Sequence, residues 1–539
     1  MKFYRSHVLV CGGTPCVLGG CKAVRDALIA EIERFGLQDE IRVVETGCLG
    51  PCDMGPIIVV YPEGITYGQV KVADVPLIVE EHLFKGRPVE NRIMTHEAPS
   101  KGVSSLKEPP HVELQKRLVL RNCGVIDPDS IEEYIARDGY RALAQCVTQM
   151  TPDGVLEVVK KSGLLGRGGA GFPTGVKWGF TARAGKGQKY IVCNADEGEP
   201  GTFKDRLILE GDPHSILEGM AIAGYAVGAD KGFIYIRGEY ALSIQRLRNA
   251  VEQARKYGLL GENLFGSGFR FDVEVRIGAG AYVCGEETAL IESMEGDRGE
   301  PRIKPPYPGV VGLWGKPTVV NNVETLANVP PIILFGPEWF RSIGTAECPG
   351  TKVFTLTGDI NNKGLIEVPM GITLRQIIYE VGGGIPRGRQ FKMAQTGGTS
   401  GGCLPEALLD TPMDYVSLAK AGSALGSGAL LIIDDSHPII DIACCFMKFF
   451  KHESCGKCAP CREGVDRLYD IVTKIAEGKG RLQDLDLIHE ICQVMQVTSL
   501  CGLGQAAPLS IITMLRHYGD EIRDHITNKK ACLIGTHSV

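Results

Sequence analysis

Cys455-Gly456-Lys457-Cys458-Ala459-Pro460-Cys461 sets three thiols at a repeating three-residue spacing, and a fourth follows far along the chain in Ser499-Leu500-Cys501-Gly502-Leu503-Gly504. If the four act together, the fold must return Cys501 to the run. Thiolates are soft, strongly donating ligands suited to iron–sulfur clusters or zinc. C-x₂-C-x₂-C wraps three sulfurs around one centre, and a remote cysteine closes a Cys₄ cage. Turn-forming Gly456 and Pro460 lie between the thiols, which argues against chance clustering. A 4Fe–4S cluster held by Cys455, Cys458, Cys461 and Cys501 is the first expectation, with zinc as the alternative metal.

The chain has 539 residues and nineteen cysteines. That length exceeds one core, so several domains are expected. The formal charge of −6 gives no electrostatic footprint for nucleic acid or an anionic membrane. No run approaches the roughly 18 apolar residues of a membrane span. The N-terminus enters a strand-like segment at once, without a secretory cleavage pattern. A cytoplasmic location follows, where so many thiols imply metal binding more than disulfides.

Residues 7–11 read as a strand, 21–35 as a helix, 41–45 and 57–61 as strands and 74–85 as a helix. That order fits a thioredoxin-like α/β unit over 1–90. Residues 91–120, with Pro109-Pro110, read as a linker. A Gly-rich α/β region fills 121–345. Residues 346–435 alternate strands with Gly turns and one short helix near 373–381, as in a β-grasp module. From 436 to 525 apolar residues recur at helical spacing around 438–450, 463–477, 484–496 and 506–518, predicting a helical bundle that carries the opening cysteines.

In the first domain Cys11-x₄-Cys16 and Cys48-x₃-Cys52 lie on loops. Four thiolates in two pairs suit a 2Fe–2S cluster, two per iron. Cys21 is an alternative to Cys16, and free structural thiols are the plainer reading. Leu165-Gly166-Arg167-Gly168-Gly169-Ala170-Gly171-Phe172-Pro173-Thr174-Gly175-Val176-Lys177-Trp178 is a glycine loop with two cations, fit for close approach of backbone N–H groups to phosphate. Asn194-Ala195-Asp196-Glu197-Gly198-Glu199 follows an apolar strand. Gly278-Ala279-Gly280-Ala281-Tyr282-Val283-Cys284-Gly285-Glu286-Glu287 is a second glycine loop entering a helix, and Asn321-Asn322-Val323-Glu324-Thr325 offers paired amides. Neither glycine loop fits G-x-G-x-x-G with an acid about 20 residues on, so this is not an ordinary dinucleotide fingerprint.

Taken in order, Gly166–Trp178, Asn194–Arg206, Gly278–Gly296, Pro301–Pro308, Asn321–Thr325 and the cysteine run resemble the flavin-bearing, NADH-oxidising subunit of respiratory complex I and its soluble relatives. The resemblance covers about 125–520. It implies a Rossmann-like domain with FMN held by Gly166, Arg167, Gly168, Lys177, Asn194, Asp196, Glu197, Tyr282, Gly285, Glu286, Glu287, Asn321, Asn322 and Thr325. It implies NAD(H) near Phe172, Phe180, Glu199, Lys304 and Tyr307, with Glu199 accepting from a ribose hydroxyl and repelling a 2′-phosphate. The β-grasp module becomes SLBB-like. Hydride would pass from NADH to FMN and single electrons onward to the clusters, with no side chain as covalent catalyst.

The fused thioredoxin-like front end resembles the β subunit of soluble multimeric, electron-bifurcating NAD-linked iron hydrogenases, or that of NAD-linked formate dehydrogenases. Implied partners are a small 2Fe–2S thioredoxin-like subunit, a large multi-cluster catalytic subunit and ferredoxin. A cluster-bearing structural protein without flavin turnover is the reading from another class, and the two glycine loops argue against it. Finally, His525, Cys532 and His537 in the tail (526–539), with Cys444, make a candidate zinc set.

Overall fold

The computed structural model describes residues 4–94 and 114–532. The expected order of α/β modules followed by a helical bundle is found.

The first module is a mixed sheet with strand order β2-β1-β3-β4, formed by β1 (Ser6–Cys11), β2 (Ile41–Thr46), β3 (Ile58–Tyr61) and β4 (Ile65–Tyr67). β1 pairs parallel with β2 and antiparallel with β3. The helix Cys21–Arg34 buries Val24, Leu28 and Ile32 on the sheet at helical spacing. The sequence reading lacked β4, a three-residue strand behind the turn Pro62-Glu63-Gly64 and too short to show a period. The expected helix at 74–85 is present, but Ile78–Phe84 winds as a π-helix.

The second sheet is wholly parallel, in the order β7-β6-β5-β8, from β5 (Tyr190–Ala195), β6 (Lys231–Arg237), β7 (Asp272–Gly278) and β8 (Thr318–Asn322). The chain runs outward from β5 to β7, then returns to place β8 on the other side of β5. Strand order therefore reverses between β5 and β8, and the crevice beyond their carboxyl ends is where such sheets bind ligands. The near-continuous burial of Ile191, Val192 and Cys193 follows from helices on both faces.

The third sheet, β10-β9-β13-β11-β12, is the β-grasp module: β9 (Thr351–Gly358), β10 (Gly364–Pro369), β11 (Phe391–Thr396), β12 (Cys403–Pro405) and β13 (Ala429–Asp434). Four helices close the chain: Ile439–Glu453, Ala459–Ala476, Gln483–Thr498 and Gly502–Thr527. Among the described residues no helix is long and apolar enough to cross a membrane.

The front-end module docks through its cysteine loops. The helix Lys204–Gly211 runs from the β5/β8 crevice to this interface, where Glu210 accepts from the Thr14 amide at 2.9 Å and from the Thr14 hydroxyl. Arg246 bonds Glu45 at 3.1 Å, and the Thr46 hydroxyl bonds the Ile126 carbonyl at 2.7 Å. At the closest approach a Cβ on Gly47 would lie 2.4 Å from the Gly211 Cα. Gly47→Ala is expected to force the backbones apart at a cost of about 1–3 kcal/mol, with faster amide hydrogen exchange over residues 46–52 as the readout.

Candidate functional site

β5 and β8 are in register so that Cys193 faces Asn321 and Asn194 faces Asn322. This brings two of the predicted segments to one crevice edge. The Asn194 amide donates to the Gly285 carbonyl at 2.8 Å and its Oδ1 accepts from the Asp196 N–H at 3.1 Å, so the second glycine loop is stitched to the end of β5. Asn321 accepts from the Trp178 indole at 2.7 Å. Asn322 caps the helix Val323–Ala327 through Glu324 N–H and donates to Asp205 at 2.6 Å. The first glycine loop closes on itself through Gly166 N–H to the Phe172 carbonyl at 2.9 Å. It docks on β8 where Gly168 leaves only 2.9 Å between a would-be Cβ and the Asn322 Cβ.

Several side chains do other work than expected. Arg167 is fully buried, and its guanidinium serves the carbonyls of Leu165, Pro349 and Thr351. Its backbone N–H bonds the Thr325 hydroxyl at 2.8 Å. Arg167 therefore pins the loop to the β-grasp module and leaves Lys177 as the loop's other cation. Glu197 turns away to cap the helix Lys204–Gly211, accepting from the N–H groups of Asp205 and Arg206, and burial lifts its carboxyl to about 7. Glu286 caps the helix Glu287–Glu295 and pairs with Lys304 at 2.8 Å, while Glu287 pairs with Lys177 at 2.7 Å. Glu199, the expected ribose acceptor, already receives four donors, from Tyr282, Thr399 and Ser400. Phe172, Phe180 and Tyr307 are exposed at 48%, 48% and 59%, open faces on which a planar ring can stack.

Asp196 is the informative orphan. It is buried, neither carboxylate oxygen has a partner, and burial pushes it up to about 7 from an ordinary 3.8 despite Arg237 nearby. A buried group of this kind is expected to meet a ligand. With the folded value raised, the destabilisation is absent below the ordinary value, grows as pH rises and is complete above 7. Asp196→Asn is thus expected to stabilise flavin-free protein at pH 8 by about 2–4 kcal/mol, a gain shrinking toward pH 5, while flavin retention falls. Melting curves across pH, with flavin content, check both signs.

Cys455, Cys458, Cys461 and Cys501 line one cavity with Val283 and Pro301 among its walls. Cys461 lies in the first turn of one helix, and Cys501 is the N-cap of another. Burial pushes Cys461 up to about 11 and raises Cys501, while N–H groups of Leu503 and Gly504 oppose that rise. Those N–H groups and the helix dipole favour a thiolate ligand. Among the described residues no three of these sulfurs come within 4.8 Å of one another. A single zinc ion with sulfur at about 2.3 Å would need a tighter group than this. In the front end Cys48 and Cys52 sulfurs lie 3.8 Å apart. Thiol donors Cys16 and Cys48 hold Cys11 well below the ordinary thiol range. The four expected thiols are therefore contiguous.

The described members of the candidate zinc set do not converge. His537 lies outside the described residues. Cys532 sits 4.0 Å from both His525 ring nitrogens, which places the sulfur off either lone pair. Cys444, His525 and Cys532 form no ligand cluster among the described residues. The Cys532 N–H donates to the Ala476 carbonyl.

The turn Tyr282–Gly285 joins the two sites. Gly285 closes the β5/β8 crevice, Val283 walls the cysteine cavity, and Tyr282 N–H donates to Glu453 at 2.9 Å on the helix preceding the cysteine run. Its ring meets Phe449 at 5.2 Å.

Family models match in the order these sites occupy: a thioredoxin-like [2Fe-2S] ferredoxin over 2–82, a Nuo51 FMN-binding domain over 159–331, an SLBB domain over 353–404 and an NADH-ubiquinone oxidoreductase-F iron-sulfur binding region over 441–525. The chain is 56% identical to the NADP-reducing hydrogenase subunit HndC of Solidesulfovibrio fructosivorans, over 77% of this chain and 84% of that one. It is 48% identical to the F 2 subunit of NADH-quinone oxidoreductase of Rhizobium meliloti, over 77% and 98%. The chain belongs to this family of NADH-binding FMN subunits. The subunit also superposes on a chain of the NAD⁺-reducing [NiFe]-hydrogenase in its H₂-reduced state, with a TM-score of 0.69 at 31% identity, covering 97% of the subunit and 84% of that chain. It is an oxidoreductase subunit with FMN, 4Fe–4S and 2Fe–2S domains.

Sequence reasoning missed a buried charge network beneath the crevice. Lys204 bonds Asp205 at 2.6 Å and Glu324 at 3.0 Å, and Lys352 of β9 bonds the same Glu324 carboxylate. Burial drives Lys352 down to about 7 against the pull of Glu324. Lys204 and Glu324 lie within or beside the recognised segments, but Lys352 gives no local signal.

Proposed function

We propose that the subunit exchanges hydride with NAD(H) and passes electrons singly out through the cysteine cavity, within a soluble, electron-bifurcating NAD- and ferredoxin-linked [FeFe] hydrogenase. The observation that carries the electron route is the turn Tyr282–Gly285, one side of which closes the flavin crevice while the other walls the cysteine cavity. Bound FMN supplies hydride acceptance and one-electron release, and the clusters supply one-electron carriage.

This chain's residues position and insulate. Asn194, Asp196 and the N–H groups of the first glycine loop meet the flavin, with Lys177 as the phosphate's cation. Phe172, Phe180 and Tyr307 receive the nicotinamide nucleotide, and Lys304 stands beside Glu286 at its edge. Cys455, Cys458, Cys461 and Cys501 would hold the four-iron cluster in the cavity that Val283 and Pro301 also line. Cys11, Cys16, Cys48 and Cys52 hold the two-iron cluster. We place the subunit in the cytoplasm, which its nineteen unpaired thiols support, with a small 2Fe–2S subunit, a large multi-cluster subunit and ferredoxin as partners. The hydrogenase assignment draws on the names of HndC and the structural neighbour. A formate dehydrogenase or a respiratory-type assembly is the alternative, and chains that co-purify decide between them.

The carboxylates Glu199 and Glu286 favour NAD(H) over NADP(H), while the name of HndC favours the phosphorylated form. Mixing flavin-loaded protein anaerobically with each nucleotide tests both points. NADH is expected to bleach the flavin faster than NADPH. No bleaching by either would refute the function, and faster bleaching by NADPH would reverse the specificity.

A further inference from the structure

Glu199 is held by donors from outside its own loop. Oε1 accepts from the Thr399 hydroxyl at 2.6 Å and the Ser400 N–H at 3.1 Å. Oε2 accepts from the Tyr282 hydroxyl at 2.6 Å and the Ser400 hydroxyl at 2.7 Å. A carboxylate offers about four acceptor positions, so none is left for a ribose. Thr399 and Ser400 belong to the turn between β11 and β12, in the β-grasp module rather than the nucleotide domain.

That turn is built for contact. Gly398 has φ +73°, and a Cβ there would lie 2.2 Å from the Glu199 Cγ, so glycine is required twice over. Buried Gln395 donates to the carbonyls of Gly398 and Gly401, each at 2.9 Å, and Gly402 N–H donates to Ser423. The two hydroxyls on this rigid frame differ. Thr399 is buried and spends its hydrogen on Glu199. Ser400 has one hydroxyl hydrogen and two acceptors in reach, Glu199 Oε2 at 2.7 Å and the Gly397 carbonyl at 3.3 Å.

We infer that Thr399 and Ser400 are positioning residues for the nucleotide, with Thr399 fixing the Glu199 carboxylate and Ser400 as the exchangeable donor that yields its place to a ribose hydroxyl. The inference rests on Glu199 as the ribose acceptor. As ribose arrives, Ser400 rotates to the Gly397 carbonyl and the incoming hydroxyl takes the vacated position on Oε2. Hydrogen-bond number is conserved, and the β-grasp turn becomes part of the specificity machinery.

The two variants should move affinity in opposite directions. With Ser400→Ala the Oε2 position is already free, so nucleotide binding no longer displaces a bond. The dissociation constant of ADP-ribose for oxidised, flavin-loaded protein should fall about two- to fivefold, because binding no longer exchanges the 2.7 Å bond to Glu199 for the longer 3.3 Å bond to Gly397. With Thr399→Val the carboxylate loses its fixed donor, the constant should rise by a similar factor, and Thr399→Ser should restore it. A merely structural turn weakens binding in both variants. Weaker binding in Ser400→Ala, or no change in either variant, overturns the inference. NADH bleaching of wild-type flavin is scored separately. Bleaching with unmoved constants removes the inference alone, and its absence removes the function and the inference with it.

Discussion

Cys461→Ala is expected to abolish one four-iron EPR signal and to slow electron delivery to a one-electron partner at least about 100-fold, while NADH still bleaches the flavin. The asymmetry follows from placement. Cys461 lines the cysteine cavity with Val283 from the first turn of its helix, whereas Gly285 bonds Asn194 at the crevice. Removing one of four thiolates opens the cage but touches no group on the β5/β8 crevice. Alanine is preferable to serine because an oxygen ligand can substitute. Loss of flavin bleaching together with the cluster would show that the two sites are not separable as described.

Glu324→Gln has the largest expected effect on stability. Glu324 is fully buried and faces the ammonium groups of Lys204 and Lys352, and it also accepts from Val353 N–H at 2.8 Å. Neutralising it leaves two buried lysines with Asp205 as the remaining carboxylate partner. Breaking a buried ion pair on one side costs about 3–5 kcal/mol. The damage should localise, because Lys352 and Val353 open β9 and Lys204 opens the helix that reaches the front-end module. Melting should fall by several degrees, with amide exchange rising first in β9. Lys352→Met is the informative control. It removes one cation, leaves the Lys204–Glu324 pair intact and should cost much less. Equal losses in the two variants would mean that packing, not charge, dominates this joint.

Much of the site was legible because its chemistry is local in sequence. The cysteine run, the glycine loops and Asn321-Asn322 announce themselves by composition and spacing, and the parallel strands leading into them fix a crevice by topology alone. Roles that depend on distant partners were not legible. Arg167 stands in a phosphate-like loop, yet its guanidinium goes to carbonyls at 349 and 351. Glu199 looks like a free acceptor until the turn at 399–400 is folded against it. Glu197 reads as a site acid but spends its charge capping a helix eight and nine residues on. His525 and Cys532 have ligand chemistry but form no ligand cluster among the described residues. For Arg167 and Glu199 the deciding partners come from another module, which no window of sequence displays.

The most direct test is rapid freeze-quench EPR on the full chain loaded with flavin and iron–sulfur clusters, mixed anaerobically with NADH in the absence of other subunits. Flavin bleaching is expected to be accompanied, within the same turnover, by the signal of a reduced four-iron cluster, because the one turn Tyr282–Gly285 both bonds Asn194 at the crevice and lines the cysteine cavity through Val283. Complete bleaching with that cluster still oxidised would contradict the account.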